Sequence, residues 1–381
     1  MTQTPRQKIG IIGNGIAGLA SAIAAARAGY EVTVFGPETQ PLQGAMQLAP
    51  NGFAALMRLG ALEAVRPHLT MLDAIEIRNS RSHSTLAVID HQKPHPRDYA
   101  SIGRQALTTA LGQITHNLPS ITMKSDAVLQ IRDEAGLPVV VTEDERHVFD
   151  AVIGADGASG LTRAYVAQDI SQKADRCALR AVAPAQQLPA HFSARRTQLW
   201  LGHGFHLVSY PFDDGRSINL VLCCEASTKD SQMIATQSLS QNPILAPILE
   251  ADIHWQKTPL PTATQLANWR RGHVIVIGDA AHFMPPHLAQ GAGQTLEDAA
   301  CLYEALQGDQ PLTHTLQSFA LMRARALAPL IHKAESTGAV MRLKGPFAHL
   351  RNLALEIGGA RLVESWLRQV WHADNKPETR L

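Results

Sequence analysis

Hydrophobic and polar positions alternate in two rhythms along the chain. Short β-branched runs occur at Lys8–Ile12, Glu31–Phe35, Val148–Ile153 and Val274–Ile277, and each is followed at once by a glycine. Such runs predict strands that end in tight turns. Longer stretches of helical period begin after several of them: Ile16–Ala28, Gln105–Ile114 behind Arg104, and a helix from about Gln294. Residues 296–307 and 312–372 also read as helical, with breaks at Gly345-Pro346 and Gly358-Gly359. Between these parts the pattern is mostly β. Residues 72–97 look like strands around a His- and Pro-rich turn. Ala178–Val182, Thr197–Leu201, Phe205–Tyr210 and Ile218–Cys224 follow, and a helix is expected near Leu239–Leu249. Gln43–Asn51 reads as a loop entering a helix from Gly52 to Leu59, and further strands are expected at Ser120–Leu129 and Val139–Thr142. The class is therefore α/β, with a discontinuous nucleotide-binding lobe and an inserted β-rich lobe.

The first strand leads into Gly13-Asn14-Gly15-Ile16-Ala17-Gly18, then an Ala-rich helix, then a second strand. This is a strand–GxGxxG–helix–strand unit. Its glycines permit the turn, the approach of a pyrophosphate and close helix–strand packing. The helix N-terminus favours the phosphate charge. Residues 9–26 carry no charge, but their glycines and Asn14 argue against a membrane span, and no signal-peptide pattern precedes them. The acid that usually ends the second strand is absent: Gly36 stands there, and Glu38 is the nearest candidate ribose ligand. Val274–Asp298 repeats the logic with a strand, a carboxylate at Asp279, a Pro285-Pro286 turn, Gly291 and Gly293, and a helix.

Composition narrows the class. The 381 residues are 45% hydrophobic and 18% charged, with a formal net charge of +1. That balance disfavours disorder and a nucleic-acid footprint. The four cysteines, Cys177, Cys223, Cys224 and Cys301, form no C-x-x-C pair. Neighbours on one strand point to opposite faces, so Cys223-Cys224 suggest no metal site, and a reduced, cytoplasmic setting fits. A second GxGxxG unit and a redox dithiol are both absent from the sequence.

Three motifs in order, Gly13 to Gly18, Gly154-Ala155-Asp156-Gly157 with Arg163, and Gly278-Asp279-Ala280-Ala281-His282, resemble the para-hydroxybenzoate hydroxylase-like FAD-dependent aromatic monooxygenases. Leu179–Pro184, Leu199–Pro211 and Arg342–Leu355 extend the resemblance toward the salicylate hydroxylase and 3-hydroxybenzoate 6-hydroxylase types. The resemblance implies a Rossmann-like FAD-binding domain (residues 1–72, 98–175 and 265–381, with C-terminal helices) and a mixed-β substrate domain (73–97 and 176–264). It implies that Gly13, Gly15, Ala17 and Gly18 hold the pyrophosphate, with Glu38 near the ribose. Arg104 would reach the phosphates, Asp156 would meet the pyrophosphate and transient NADH or NADPH, and Asp279 would bind ribityl or ribose hydroxyls. Leu288, Gly291, Ala292 and Gly293 would line the isoalloxazine. Gly160 departs from the family, which usually has a serine there.

The implied activity is hydroxylation of a small aromatic or heteroaromatic substrate, salicylate- or hydroxybenzoate-like. NAD(P)H would reduce the flavin, and O2 would give a flavin C4a-hydroperoxide. Alternatives are a same-fold FAD oxidoreductase without oxygen insertion and a relative that binds FAD weakly. Ionising a phenol calls for a base near neutral pKa. Salicylate-type relatives carry a histidine where Ser209 stands; Ser209 cannot replace it as a base but can hydrogen-bond or relay through water, Tyr210 can hydrogen-bond substrate or flavin, and His206 and above all His287 become candidate bases, the last because hydroxynicotinate-type relatives share its Pro-His. Gln47, Arg180, Tyr210, Pro286 and His287 are the candidate substrate contacts. His282 is expected to be structural or flavin-side. A monomer or homodimer without a resident metal is expected.

Overall fold

A computed structural model describes residues 6–37, 43–93, 97–167, 176–224, 236–237, 239–260 and 266–371. One sheet has six strands in the order Arg270–Arg271, Val274–Val276, Ala151–Gly154, Lys8–Ile12, Glu31–Phe35, Ile121–Lys124. All pairs are parallel except the Arg270–Arg271 edge. Both faces are covered, which is why its strands read as continuous apolar runs. Ile9, Ile11, Val32, Val34, Ile153 and Ile275 pack with Ala22, Leu302 and Phe319 on one side. Ile12, Val152, Val274 and Val276 pack with Trp269, Leu327 and Ile331 on the other.

Three carboxyl ends meet at one edge of this sheet. Gly13 N–H donates to Phe35 O at 2.7 Å, Ala155 N–H to Ile12 O at 2.7 Å, and Ile277 N–H to Gly154 O at 2.9 Å. The three motifs therefore lie side by side, where open α/β sheets bind ligands.

A second sheet has seven strands in the order Gln256–Leu260, Arg176–Pro184, Ser217–Cys224, Phe205–Phe212, Arg196–Leu201, Ala74–Asn79, Thr85–Asp90. Only the Arg196–Leu201/Ala74–Asn79 pair is parallel. Its back face packs Leu179, Trp200, Leu207, Leu220 and Leu222 into one core. Its front face sets Leu199, Leu201 and Tyr210 against Leu288 and Ala334. Helix Gly291–Leu306 lies in one core with the first helix, Ile16–Arg27, and is followed by helices Leu312–Met341 and Gly345–Trp371, the last kinked at Gly359 with φ 51°.

Several local expectations shift. Ala45–Leu48, read as loop, is a strand paired with Ala100–Gly103. It is buried on both faces and its partner is remote in sequence, so no alternation betrays it. The next helix starts at Pro50, whose missing N–H costs nothing in a first turn. The helix expected at Leu239–Leu249 is interrupted: residues 239–240 are helical, and helix returns only at Pro247–Glu250. Pro243 and Pro247 cannot donate within it, and Asn242 Oδ1 accepts from Ile244 and Leu245 N–H instead. The helix after the glycine loop begins at Gly291 rather than Gln294. Among the described residues no helix is long and apolar enough to cross a membrane.

Candidate active site

The first glycine loop is shaped by contacts no side chain permits. Gly13 has φ +109°, and a Cβ on it would lie 2.4 Å from Ala155 O. A Cβ on Gly18 would lie 1.7 Å from Gly13 O. Gly15, by contrast, faces open space and precedes a helix whose first turn has no side-chain cap. Free N–H groups beside an open glycine suit a pyrophosphate. Gly278, at φ 56°, brings the third motif against this loop: a Cβ on it would meet the Ala17 methyl at 3.0 Å.

Asp279 follows directly. Its side chain is open to solvent yet ringed by protein. That surrounding mass raises its carboxyl above the usual range, while His282, Arg104 and Arg180 pull it back down. Behind it lies a group that sequence reasoning missed. Buried Asp298 accepts from Gly278 N–H at 2.9 Å, pairs with His282 Nε2 at 2.6 Å and accepts from Arg323 Nε at 2.7 Å. Burial alone would raise the Asp298 carboxyl, but His282 and Arg323 hold it below the ordinary value. His282 stacks on Trp269 at 5.3 Å, which gives it a structural place. The available signal was Glu297-Asp298, two acids inside an otherwise apolar helical stretch.

The second motif turns inward. Asp156 accepts from Thr162 N–H at 2.9 Å and from the Thr162 hydroxyl, so its carboxylate caps the Leu161–Ala167 helix. Burial raises its pKa against those bonds. A Cβ at Gly160 would lie 2.1 Å from Asp156 Cγ, so a serine there requires the Asp156 carboxylate to shift. A Cβ on Gly36 would likewise lie 2.4 Å from Asn14 Cγ and require that side chain to shift, and Asn14 Nδ2 donates to Pro37 O at 2.8 Å. Glu38 lies outside the described residues. Gly291 faces open space at the head of its helix, Gly293 is closed by Asn51, and Ala292 packs toward the first helix. Leu288 buries its side chain in the front core, leaving only its backbone for a ligand.

The front face of the seven-stranded sheet collects the remaining candidates. Arg180, Tyr210, Arg104 and Asp279 lie within electrostatic reach of one another. Burial lowers Arg180, and neighbouring Arg104 adds to that. Tyr210 donates to Ala45 O at 3.0 Å and is pushed up by burial to about 12, against the pull of Arg104 and Arg180. Gln47 Oε1 accepts from Tyr99 OH at 2.7 Å and Thr197 Oγ1 at 2.9 Å.

His206 and His287 meet at 5.2 Å between ring centroids, and Arg342 donates to His287 Nε2 at 3.3 Å. Pro286 opens the short turn that presents His287. Burial, then Arg342 and Arg176, lowers His287 to about 3. Burial, then His287, Arg342 and Arg351, puts His206 well below its ordinary value. Neither imidazole is poised as a base near neutral pH.

Ser209 is not part of this group. It pairs with Gln198 and Leu220 on the back face, fully buried, with no partner for its hydroxyl among the described residues. Donor atoms of His206, Cys223 and His287 do lie within 4.8 Å of one another. Burial pushes the Cys223 thiol up to about 12, and a guanidinium stands at His287 where metal-bound histidines carry an acceptor.

Comparison with known proteins gives a family and a fold. A family model described as the FAD binding domain matches residues 6–309. The 3-hydroxybenzoate 6-hydroxylase of Klebsiella oxytoca is 28% identical over 364 residues, covering 90% of this chain and 91% of that protein. The 6-hydroxynicotinate 3-monooxygenase of Pseudomonas fluorescens is 26% identical over 374 residues, covering 92% and 93%. Among solved structures, a salicylate hydroxylase substrate complex has TM-score 0.80 at 20% identity, covering 96% and 95%. Klebsiella pneumoniae HpxO complexed with FAD and uric acid has TM-score 0.82 at 18% identity, covering 96% of each chain. These solved structures share the fold.

Proposed function

The chain belongs to the FAD-binding domain family, and from that premise we propose that it is a monooxygenase that hydroxylates a small aromatic or heteroaromatic substrate with NADH or NADPH and O2. The similarity to two named aromatic-acid monooxygenases over nine-tenths of the chain supports the reaction class. One structural observation carries the reading: the accessible Asp279 carboxylate sits where the glycine loop meets the Arg104, Arg180 and Tyr210 face. That junction suits a cofactor on one side and a ring on the other.

FAD, when bound, supplies the reduction and the activation of oxygen. The chain's own residues do the rest. Gly13 to Gly18 and the uncapped helix behind them take the pyrophosphate. Arg104 takes phosphate charge with a multi-donor plane. Asp279, as acceptor only, takes ribityl or ribose hydroxyls. Arg180, without a hydrogen-bond partner among the described residues, is available to an acidic group on the substrate. Tyr210, His206 and His287 line the ring. The sheet boundaries suggest the division of labour. Residues 1–72, 98–175 and 265–381 hold the cofactor, and 73–97 and 176–264 face the substrate.

The test is purification with added FAD, followed by NAD(P)H oxidation across salicylate, hydroxybenzoates, hydroxynicotinates and quinolones, with product and peroxide both measured under oxygen-18. Labelled hydroxylated product is expected. Substrate turnover without label would favour the oxidoreductase reading. A protein that stays colourless with added FAD would sink both.

A further inference from the structure

Gly338 and Arg342, one turn apart at the end of the Leu312–Met341 helix, both press on a single imidazole. A Cβ on Gly338 would lie 2.3 Å from His287 Cδ2 and 2.5 Å from Nε2, so only glycine lets the ring sit there. Arg342 reaches the same nitrogen at 3.3 Å. A guanidinium has donors and no acceptor. Nε2 must therefore supply its lone pair, and the neutral ring carries its proton on Nδ1. That Nδ1 is buried and has no hydrogen-bond partner among the described residues, and neither has Nδ1 of His206. One ring nitrogen of each histidine and the Cys223 Sγ lie within 4.8 Å of one another. An oxygen atom about 2.8 Å from each of two nitrogens bridges such a gap.

We propose that Gly338 and Arg342 are positioning residues that fix His287 as a neutral Nδ1–H donor to an oxygen of the aromatic substrate. The site then takes a ring whose oxygen is held as phenolate or as ring carbonyl, and stabilises that form rather than abstracting a proton from it. This rests on the monooxygenase reading and deepens it. The arrangement inverts the carboxylate–imidazole pair that makes a histidine basic. A cation on one ring nitrogen strengthens the N–H on the other. The groups facing His287 agree in sign. Arg342 comes from the helix end, and Arg176 from the sheet is held by Glu335 at 3.0 Å. His206 and Cys223 are neutral. Burial and the two arginines hold His287 near 3, so it stays an uncharged donor across ordinary working pH.

The experiment uses the full-length FAD-loaded protein labelled with nitrogen-15 histidine, and 4-hydroxy-3-nitrobenzoate as an absorbing phenol. In wild type the His287 signals should show the Nδ1–H tautomer with no titration above pH 5. Bound probe should ionise at a pH at least one unit below free probe, a tenfold preference for phenolate. Arg342→Leu should lose that tenfold preference, and Arg342→Lys, also donor-only, should restore most of it. Gly338→Ala should lose it with Arg342 still present. An Nε2–H tautomer, titration near the ordinary histidine range, or equal probe ionisation in wild type and Arg342→Leu overturns the inference. Absence of labelled product in the oxygen-18 screen overturns the monooxygenase reading instead and leaves the tautomer result standing.

Discussion

Replacing Asp298 by Asn isolates what holds Asp279 in place. The shape is kept and the charge is removed. Asp298 is fully buried and serves Gly278 N–H at 2.9 Å, His282 at 2.6 Å and Arg323 at 2.7 Å. Arg323 is itself buried, with Glu297 at 3.4 Å as its other carboxylate. Breaking a buried ion pair on one side costs about 3–5 kcal/mol, because the partner charge stays behind. At roughly 2 °C per kcal/mol for a large chain, Tm should fall by about 5–10 °C. The Gly278 bond aims the Asp279 loop, so flavin affinity should also fall, by roughly 10-fold if about 1.4 kcal/mol of alignment is lost. Differential scanning fluorimetry and flavin-fluorescence titration measure the two effects. The pH dependence follows from the lowered carboxyl. A carboxylate depressed in the fold stabilises above its unfolded pKa of about 3.9, and that contribution vanishes as pH falls through the lower folded value. The deficit of Asp298→Asn should thus be level from pH 8 to pH 5 and shrink below about pH 4. A variant with wild-type Tm and an unchanged flavin Kd would refute the reasoning.

Three further outcomes are expected. Gly36→Asp, which restores the acid usual in dinucleotide folds, should weaken flavin binding and cost about 1–3 kcal/mol by overpacking against Asn14. Adding Asn14→Ala should relieve much of it, and equal melting of both variants would tell against the steric account. Ser209→Ala removes a buried hydroxyl without a partner on the back face, so turnover should hold within twofold and stability should hold or rise. A large loss in kcat would show that Ser209 reaches the ring after all. His91 is depressed to about 4, by burial first and Arg97 second. A histidine lowered in the fold contributes stability above its unfolded pKa of about 6.5, which is lost as pH falls toward 4. Chemical denaturation between pH 7 and pH 4 should show that decline, and His91→Gln should flatten it.

The cofactor cradle was legible because its parts are contiguous. Gly13 to Gly18 and Gly278-Asp279 each carry their geometry within a few residues, and the parallel sheet then sets them side by side. The candidate substrate face was only half legible. Alternation along Phe205–Tyr210 put His206 and Tyr210 on one face and Ser209 on the other, but only register to Cys223 and the return of the Pro286–Leu288 turn joins His287 to them. Asp298 and Arg342 were missed for the same reason: each acts through a residue far away in the chain.

The two departures from the family pattern bear on whether the cradle has decayed. From sequence alone, Gly36 and Gly160 look like lost contacts and, with Ser209, motivate a weakly binding relative. In the structure each faces a side chain that already fills the space, Asn14 in one case and Asp156 in the other. Asn14 ties the end of the second strand to the glycine loop through Pro37 O, and Asp156 caps its own helix through Thr162. A drifting site would leave voids or unpaired groups at such positions. Here both carry close packing and satisfied hydrogen bonds, so each glycine is the counterpart of a specific neighbour. Packing thus gives Gly36 and Gly160 a local reason, and flavin affinity becomes a question for flavin titration, about Asp279 and the network behind it.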